Sequence, residues 1–349
     1  MPASATAADS PLPSTATATP AATATPDPVS VQAWTNQAVA LMAEAQKGGA
    51  AQVHLGAGFP LTLTSRTSEV DGDEWDEATW QTPGRQATGW LPSAAVTTTK
   101  PSIGASASFD ALDSGLSDYL NDLGTKAGVQ VLDVTRGVTY NYNADNQFLV
   151  ASSIKVPIML TLLSQLETRK KKPTAAQVSL MTSMIEHSNN DSATELYKEI
   201  GWQRGIKNFM KGLGIAGLIP APPTTGWGYS TTTPAAMVAL LARLNAGTIL
   251  NQTDRDFALK LMRHIESDQQ VGVGDSSPAG AIVEMKDGWI DIDDTTSGPY
   301  VMNSSGIVSK AGETYVIAIY TIRNRNYPVG FAIARHVALV VGQKLMGTS

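Results

Sequence analysis

The sequence predicts a mixed α/β protein built from layers of helices and strands, preceded by a small β-rich module. The main part of this prediction comes from residues 109–126, whose leucines recur at helical spacing, and from two strand-like runs that follow at 128–135 and 138–143. The module is predicted from residues 51–97, which alternate between apolar and polar side chains and are interrupted by Gly, Pro and Asp.

Composition limits the chemistry available to the chain. A length of 349 residues predicts about two domains, and a hydrophobic content of 42% is enough for a sizeable core. The absence of cysteine excludes disulfides, a cysteine nucleophile and thiolate metal sites, and the net charge of −6 argues against a nucleic-acid surface. The histidines are too scattered for a metal-ligand spacing: His54, His187, His264 and His336. We therefore expect no metal and no cofactor, and any nucleophilic chemistry must come from Ser, Thr or Lys.

The N-terminal segment differs from the rest of the chain. Residues 1–30 are mostly Ala, Thr, Pro and Ser, which predicts a disordered tether because such a segment buries too little apolar surface to fold. Tracts of this composition commonly hold a domain away from a surface. No apolar run of 18 residues predicts a membrane span, and no signal peptide is visible.

Residues 31–100 are predicted to form a helix followed by the β-rich module. Apolar residues recur at helical spacing over 31–48, and Gly48 would end that helix. The step Gly89-Trp90-Leu91-Pro92 resembles the closing strand of a bacterial SH3-like barrel, a type of module that often binds cell-wall peptides. The alternative is that the tryptophans are simply the core of a small β-domain. A linker at 97–106 then leads into a larger domain over residues 101–349.

The first chemical motif is the S-x-x-K formed by Ser152 and Lys155. At the start of a helix, residues three apart share a face, and a neutral amine beside a hydroxyl can take its proton. A lysine on a solvated helix face is the alternative, but the surrounding run 147–166 is strongly apolar, which disfavours it.

Two further motifs follow in order, Ser188-Asn189-Asn190 and Lys286-Asp287-Gly288. The series S-x-x-K, S-x-N, K-x-G resembles the class A β-lactamase and penicillin-binding-protein superfamily, whose motifs are S-x-x-K, S-D-N and K-T-G. The resemblance spans residues 107–347. It implies an antiparallel sheet with the first and last helices on one face and a helical subdomain, residues 152–275, on the other.

The resemblance also implies catalytic roles. Ser152 would be the acylated nucleophile, and Lys155 would be its base or part of the proton relay. Ser188 would pass a proton to the leaving group, and Lys286 would supply positive charge near Ser188 and the substrate. A helix cap is the ordinary alternative for Ser188.

Substrate binding would fall to Asn190 and to the strand that carries the third motif. Asn190 would hydrogen-bond the substrate amide, although it could equally hold a loop. Gly288 would let the strand approach the substrate, and the backbone N–H of Trp289 would complete an oxyanion hole with that of Ser152. Asp287 stands at the position where the family has a hydroxyl that binds a substrate carboxylate.

Four departures from the family pattern are visible. Asn189 replaces the family's Asp, and the stretch between the first two motifs is short, which implies a trimmed subdomain and a more open site. Asp287 replaces Thr or Ser and would repel an anion when ionised, although it could instead pair with a nearby lysine or point away, as alternate strand residues do. Residues 214–237, where class A enzymes carry the glutamate that activates the deacylating water, contain no Asp or Glu. Of the nearby acids, Glu186, Glu195 and Glu199 could substitute only through an unexpected geometry.

These observations predict a serine hydrolase that forms an acyl-enzyme on a β-lactam, a D-alanyl peptide or an ester, with poor deacylation. A genuine β-lactamase with a non-standard deacylation route and a non-catalytic peptidoglycan-binding protein stay open as alternatives. The expected partner is a small or peptidoglycan-derived substrate, with the N-terminal module as a candidate for wall binding. The expected location is therefore extracytoplasmic.

Overall fold

The computed structural model of the protein describes residues 30–36, 39–55, 60–82, 85–98, 105–123, 126–292 and 300–347. Nearly all of the predicted tether and most of the predicted linker lie outside these ranges. The described residues form two larger sheets, an antiparallel one in the N-terminal module and a mostly antiparallel one in the main part of the chain. A third, two-stranded sheet lies beside the candidate site.

The N-terminal module consists of strands. They are β1 (Val31–Thr35), β2 (Val39–Met42), β3 (Ala51–Leu55), β4 (Pro60–Val70), β5 (Asp73–Thr82), β6 (Arg85–Pro92) and β7 (Val96–Thr97). Their order in the sheet is β3-β2-β6-β5-β4-β1-β7. Alternate side chains, among them Leu41, Leu61, Trp80 and Leu91, form a small core of their own. A β-rich module was predicted here, and its likeness to an SH3-like barrel stays a prediction.

The predicted helix over residues 31–48 is wrong. The described part of this segment forms β1 and β2, which pair with strands from the rest of the module, followed by bends and turns over residues 43–48. The burial of Ala33 and Thr35 on either side of the less buried Trp34 follows the two-residue period of a strand. Pairing with distant strands therefore overrides a helical pattern that was too weak to specify the local structure.

The main sheet has six strands in the order β13-β14-β15-β9-β10-β8. They are β8 (Ala105–Ser108), β9 (Lys126–Asp133), β10 (Val138–Tyr142), β13 (Ile282–Asp291), β14 (Tyr300–Lys310) and β15 (Glu313–Asn324). All neighbouring pairs are antiparallel except β10 with β8. The small sheet pairs β11 (Phe148–Leu149) with β12 (Thr231–Thr232). The predicted hairpin over 128–143 corresponds to β9 and β10.

Helices cover both faces of the main sheet. They are α1 (Leu116–Asp122), α2 (Lys155–Thr168), α3 (Ala175–Glu186), α4 (Asn190–Glu199), α5 (Trp202–Gly212), α6 (Pro234–Asn245), α7 (Gln252–Arg263) and α8 (Tyr327–Met346). The predicted helix over 109–126 is shorter than expected. A 3-10 turn at Phe109–Ala111 precedes α1, and Asp113 accepts a hydrogen bond from the Gly115 N–H in the break between them.

Both faces of the central strand β15 are buried. Tyr320 packs against the ring of Phe148 on one face, whereas the hydroxyl of Tyr315 reaches the α8 backbone at Gly342 on the other. Helix α1 lies beside α8, where Tyr119 contacts His336 with ring centroids 4.2 Å apart. The first and last helices therefore share one face, and α2 to α7 form the predicted subdomain on the other.

Helix α8 is, within the described part of the chain, the helix that is long and apolar enough to cross a membrane. Its buried residues recur every three or four positions from Gly330 to Leu345 and pack against β14 and β15. This stripe is the expected pattern for a helix that covers one face of a sheet.

Candidate active site

Ser152 lies on a 3-10 turn, Ala151–Ile154, that leads directly into α2. The preceding residue, Ala151, has a φ of 47°, in the left-handed region that non-glycine residues rarely adopt. The turn is held from one side by a hydrogen bond from the Val150 N–H to the carbonyl of Ser230 at 2.9 Å. Strain at a fixed turn is a common feature of functional sites, because the surrounding structure must hold the residue in place.

Lys155 is the first residue of α2 and is completely buried. Its Nζ lies 3.1 Å from the Ser152 hydroxyl oxygen, 3.0 Å from that of Ser188, 2.6 Å from the Ser188 carbonyl oxygen and 2.8 Å from Asn190 Oδ1. A neutral amine can donate to the carbonyl and the amide oxygen while its lone pair accepts from a hydroxyl. The structure therefore brings together the four residues of the first two motifs.

The pKa of Lys155 is lowered to about 7. Burial is the largest cause because it penalises the charged form, the nearby Lys286 adds like-charge repulsion, and Asp287 opposes both. A large fraction of Lys155 is then neutral near pH 7. This amine can therefore act as a base at the distance observed from Ser152.

Ser188 precedes α4 and has a φ of 52°. The next residue, Asn189, is the N-cap of α4 and accepts a hydrogen bond from the Ser192 N–H at 2.8 Å. Asp and Asn are equally good caps, which explains why Asn189 can stand where the family has Asp. The cap begins the helix so that Ser188 and Asn190 both reach Lys155.

Gly288 lies on β13 directly against the nucleophile turn. A Cβ at this position would lie 2.6 Å from the Ser152 nitrogen and 2.7 Å from the Ser153 nitrogen, so only glycine fits. Among the described strands β13 is at the edge of its sheet, and Trp289 follows Gly288 there. The Trp289 side chain packs against Phe331 with ring centroids 5.5 Å apart. Its role in an oxyanion hole stays a prediction.

Lys286 and Asp287 form a buried ion pair with Nζ and Oδ1 3.0 Å apart, and neither side chain is exposed. Asp287 Oδ2 accepts a second hydrogen bond, from the Val271 N–H at 3.3 Å. Burial raises the pKa of Asp287, and the adjacent ammonium acts against that rise. The charge that Lys286 was predicted to supply to the substrate is therefore engaged by a carboxylate of its own strand.

The loop over residues 214–237 meets the site through an aromatic ring. The centroid of the Trp227 ring lies 5.0 Å from Lys155 Nζ, and the Trp227 Nε1–H donates to Thr194 Oγ1 at 3.0 Å. Sequence reasoning noted that this loop lacks a carboxylate but did not single out Trp227. The sequence feature that could have indicated it is Gly226-Trp227-Gly228-Tyr229, an aromatic sequence in a loop that is otherwise rich in Pro and Thr.

The nearby acids do not compensate for the missing carboxylate through any described contact. Glu199 pairs with the side chain of Gln177 at the far end of α4 from Ser188. On α3, the backbone carbonyl of Glu186 accepts a hydrogen bond from the Glu266 N–H.

A second residue that sequence reasoning missed is Asn303. Its Nδ2–H donates to the Leu149 carbonyl at 2.7 Å and links β14 to the strand before the nucleophile turn.

The layered fold and the buried Ser-Lys pair define the class to which this chain belongs, that of the β-lactamase-like serine hydrolases. A model of the Beta-lactamase enzyme family matches residues 111–179 and 172–345, more than half of the chain. The chain is therefore a member of that family, as the order of its motifs predicted.

Individual relatives are distant. A β-lactamase of Rhodobacter capsulatus is 24% identical over 234 residues, covering 58% of this chain and 77% of the relative. The β-lactamase CTX-M-8 of Citrobacter amalonaticus is 22% identical over 234 residues, covering 56% and 75%. Both relatives are therefore similar to this chain over 234 residues.

Solved structures confirm the predicted fold. The extended-spectrum β-lactamase TLA-3 superposes with a TM-score of 0.61 at 23% identity, covering 68% of this chain and 99% of that one. A point mutant of PBP-A, in an acyl-enzyme complex with penicillin G, gives a TM-score of 0.60 at 22% identity, covering 68% and 97%. The fold shared with these proteins is the class A β-lactamase and penicillin-binding fold.

Proposed function

We propose that the protein forms an acyl-enzyme on Ser152 and releases it slowly, with a β-lactam, a D-alanyl peptide or an ester as the acyl donor. The observation that carries this proposal is the 3.1 Å distance between Lys155 Nζ and Ser152 Oγ, in a site where burial brings the lysine pKa to about 7. A buried, partly neutral amine beside a serine hydroxyl is the arrangement that activates a serine when no histidine is available.

The acylation step uses groups that already lie together. Neutral Lys155 takes the Ser152 proton as Oγ bonds to the carbonyl carbon, and the backbone N–H groups of Ser152 and Trp289 stabilise the oxyanion. The proton then returns through the Ser188 hydroxyl, 3.0 Å from Lys155 Nζ, to the leaving nitrogen or oxygen as its bond to carbon breaks. Each proton removed is given back, so no other reactant is needed.

The described residues offer no comparable base for deacylation. Water must lose a proton to attack the ester, and the loop over residues 214–237, which reaches the site through Trp227, carries no carboxylate. A structural neighbour, the point mutant of PBP-A, has been solved as an acyl-enzyme with penicillin G, which supports the formation of such an adduct on this fold. We therefore infer that acylation is faster than hydrolysis of the adduct.

Intact-protein mass spectrometry tests the proposal. The protein is incubated with a fluorophosphonate, an uncharged activated ester and penicillin G, with Ser152→Ala as the matched control. We expect the fluorophosphonate and the uncharged activated ester to give adducts that map to Ser152, and we expect the acyl adduct to persist over many minutes. Rapid hydrolysis without an adduct would instead support a β-lactamase with a different deacylation route. Absence of labelling would support a peptidoglycan-binding protein.

We further propose that the substrate belongs to peptidoglycan and that the protein acts outside the cytoplasm. The N-terminal module is our candidate for wall binding, since it forms a separate small core around Trp80. Co-sedimentation of the full chain with insoluble peptidoglycan tests this. The chain should leave the supernatant, and recovery of all of it in the supernatant would contradict wall binding.

A further inference from the structure

The buried pair Lys286–Asp287 stands immediately beside the nucleophile. Both residues precede Gly288 on β13, and Gly288 lies so close to the Ser152 nitrogen that no side chain fits between them. An acyl donor whose carbonyl reaches Ser152 along the edge of β13 therefore passes these two residues. Their charge decides which groups the donor can carry next to the scissile bond.

Within this pair the positive charge is neutralised. Lys286 Nζ lies 3.0 Å from Asp287 Oδ1, and the other carboxylate oxygen accepts from the Val271 N–H. The Lys286 ammonium and the Asp287 carboxylate carry opposite charges, so the ion pair as a whole has no net charge. A carboxylate on the substrate would compete with Asp287 for the same ammonium, and it would meet like-charge repulsion from Asp287.

Among the described residues, the groups that contact the pair add no compensating cation. In the register of β13 with β14, Lys286 lies opposite Ser305 and Asp287 opposite Ser304. Ser304 is itself engaged, since its hydroxyl donates to the Val271 carbonyl at 2.8 Å and accepts from the Val273 N–H at 3.0 Å. The described hydrogen bonds of Lys155, the second lysine of the site, all go to uncharged groups.

We propose that the protein selects acyl donors that carry no charge beside the scissile bond, namely neutral esters and amides in which a terminal carboxylate is absent or blocked. This inference rests on the proposed acyl-enzyme function and narrows its substrate class. Donors with a free carboxylate at that position react slowly because Asp287 already occupies the ammonium that would bind it.

A matched pair of thioesters tests the inference. Both carry the same N-acyl-D-alanyl group, and the leaving group is either thioglycolate, with a free carboxylate, or its primary amide. The released thiol is measured with a disulfide reagent, and the absence of cysteine in the chain removes any protein background. We expect the amide to acylate Ser152 at least about tenfold faster, because a carboxylate brought beside the pair would lose its hydration without gaining a free ammonium.

Asp287→Asn is the matched variant, since it keeps the shape of the side chain and removes its charge. It should reduce or reverse the preference by freeing Lys286, with its melting temperature recorded to confirm folding. Equal rates for the two thioesters in the wild-type protein, or a faster carboxylate thioester, would overturn the inference whether or not the variant folds. If neither thioester nor a fluorophosphonate labels Ser152, the proposed function is overturned, and the inference with it.

Discussion

The amine of Lys155 lies 3.1 Å from the hydroxyl oxygen of Ser152, and the lysine is completely buried. Burial removes the hydration that stabilises a charged lysine, so the environment of Lys155 favours the neutral amine. Because burial destabilises the ammonium, the neutral amine of Lys155 is available as a base near neutral pH.

Acylation should depend on pH through Lys155. Since the neutral amine is the active form and its pKa is about 7, the acylation rate should be low at pH 5.5, rise through pH 7 and level off above about pH 8. The measurement is the second-order rate constant with the uncharged thioester between pH 5.5 and 9. A flat profile across this range would show that Lys155 is not the base.

Gly288 should tolerate no side chain. Gly288→Ala places a Cβ 2.6 Å from the Ser152 nitrogen, so either the strand or the nucleophile turn must move. A displacement of this size at the reacting groups should lower the acylation rate by about 100-fold. Gly212→Ala is the matched control, because no atom lies within 4 Å of its new Cβ, and its rate should be unchanged. Equal rates for both variants would contradict the geometry described for β13.

Trp227 should control the lifetime of the adduct. Its indole lies over Lys155 and is anchored by a hydrogen bond to Thr194, so we expect it to shield that side of the site from water. Trp227→Ala should admit water and shorten the half-life of the acyl-enzyme severalfold, as followed by intact mass after removal of excess donor. In Trp227→Phe, which keeps a ring but loses the hydrogen bond, the half-life of the acyl-enzyme should be closer to that of the wild type. A longer-lived adduct in the alanine variant would refute this role.

Asn189 should act as a helix cap and not as a catalytic group. Asn189→Ala removes the acceptor for the Ser192 N–H and should lower the free energy of unfolding by about 1 kcal/mol in urea denaturation. Asn189→Asp restores the family residue and should keep both stability and acylation rate. If the aspartate variant lost most of its activity while remaining folded, the residue would have a chemical role that its contacts do not reveal.

The contact between Ser152 and Lys155 is the part of the candidate site that a local motif can predict. Ser152 and Lys155 are one helical turn apart, so their contact follows from spacing once a helix forms there. The meeting of this pair with Ser188 and Asn190 could be expected only through the family resemblance, because no local rule brings residues more than thirty positions apart together.

The parts that were missed depend on long-range packing. The segment over residues 31–48 forms strands because partners elsewhere in the module pair with it, which its own periodicity cannot reveal. The pairing of Lys286 with Asp287 was raised only as one option. Adjacent strand residues ordinarily point to opposite faces, and the ion pair depends on how β13 packs. The approach of Trp227 to Lys155 likewise depends on the path of a loop.

The role of Lys155 as the base for Ser152 is tested most directly by the rate at which a fluorophosphonate labels Ser152 in the wild-type protein and in Lys155→Met, which has similar length and no base. Labelling is located by peptide mapping, and circular dichroism confirms that the variant is folded. We predict a single modified residue, Ser152, and a rate at least about 100-fold lower in the methionine variant. Equal labelling of the two proteins, or modification of a residue other than Ser152, would contradict this mechanism.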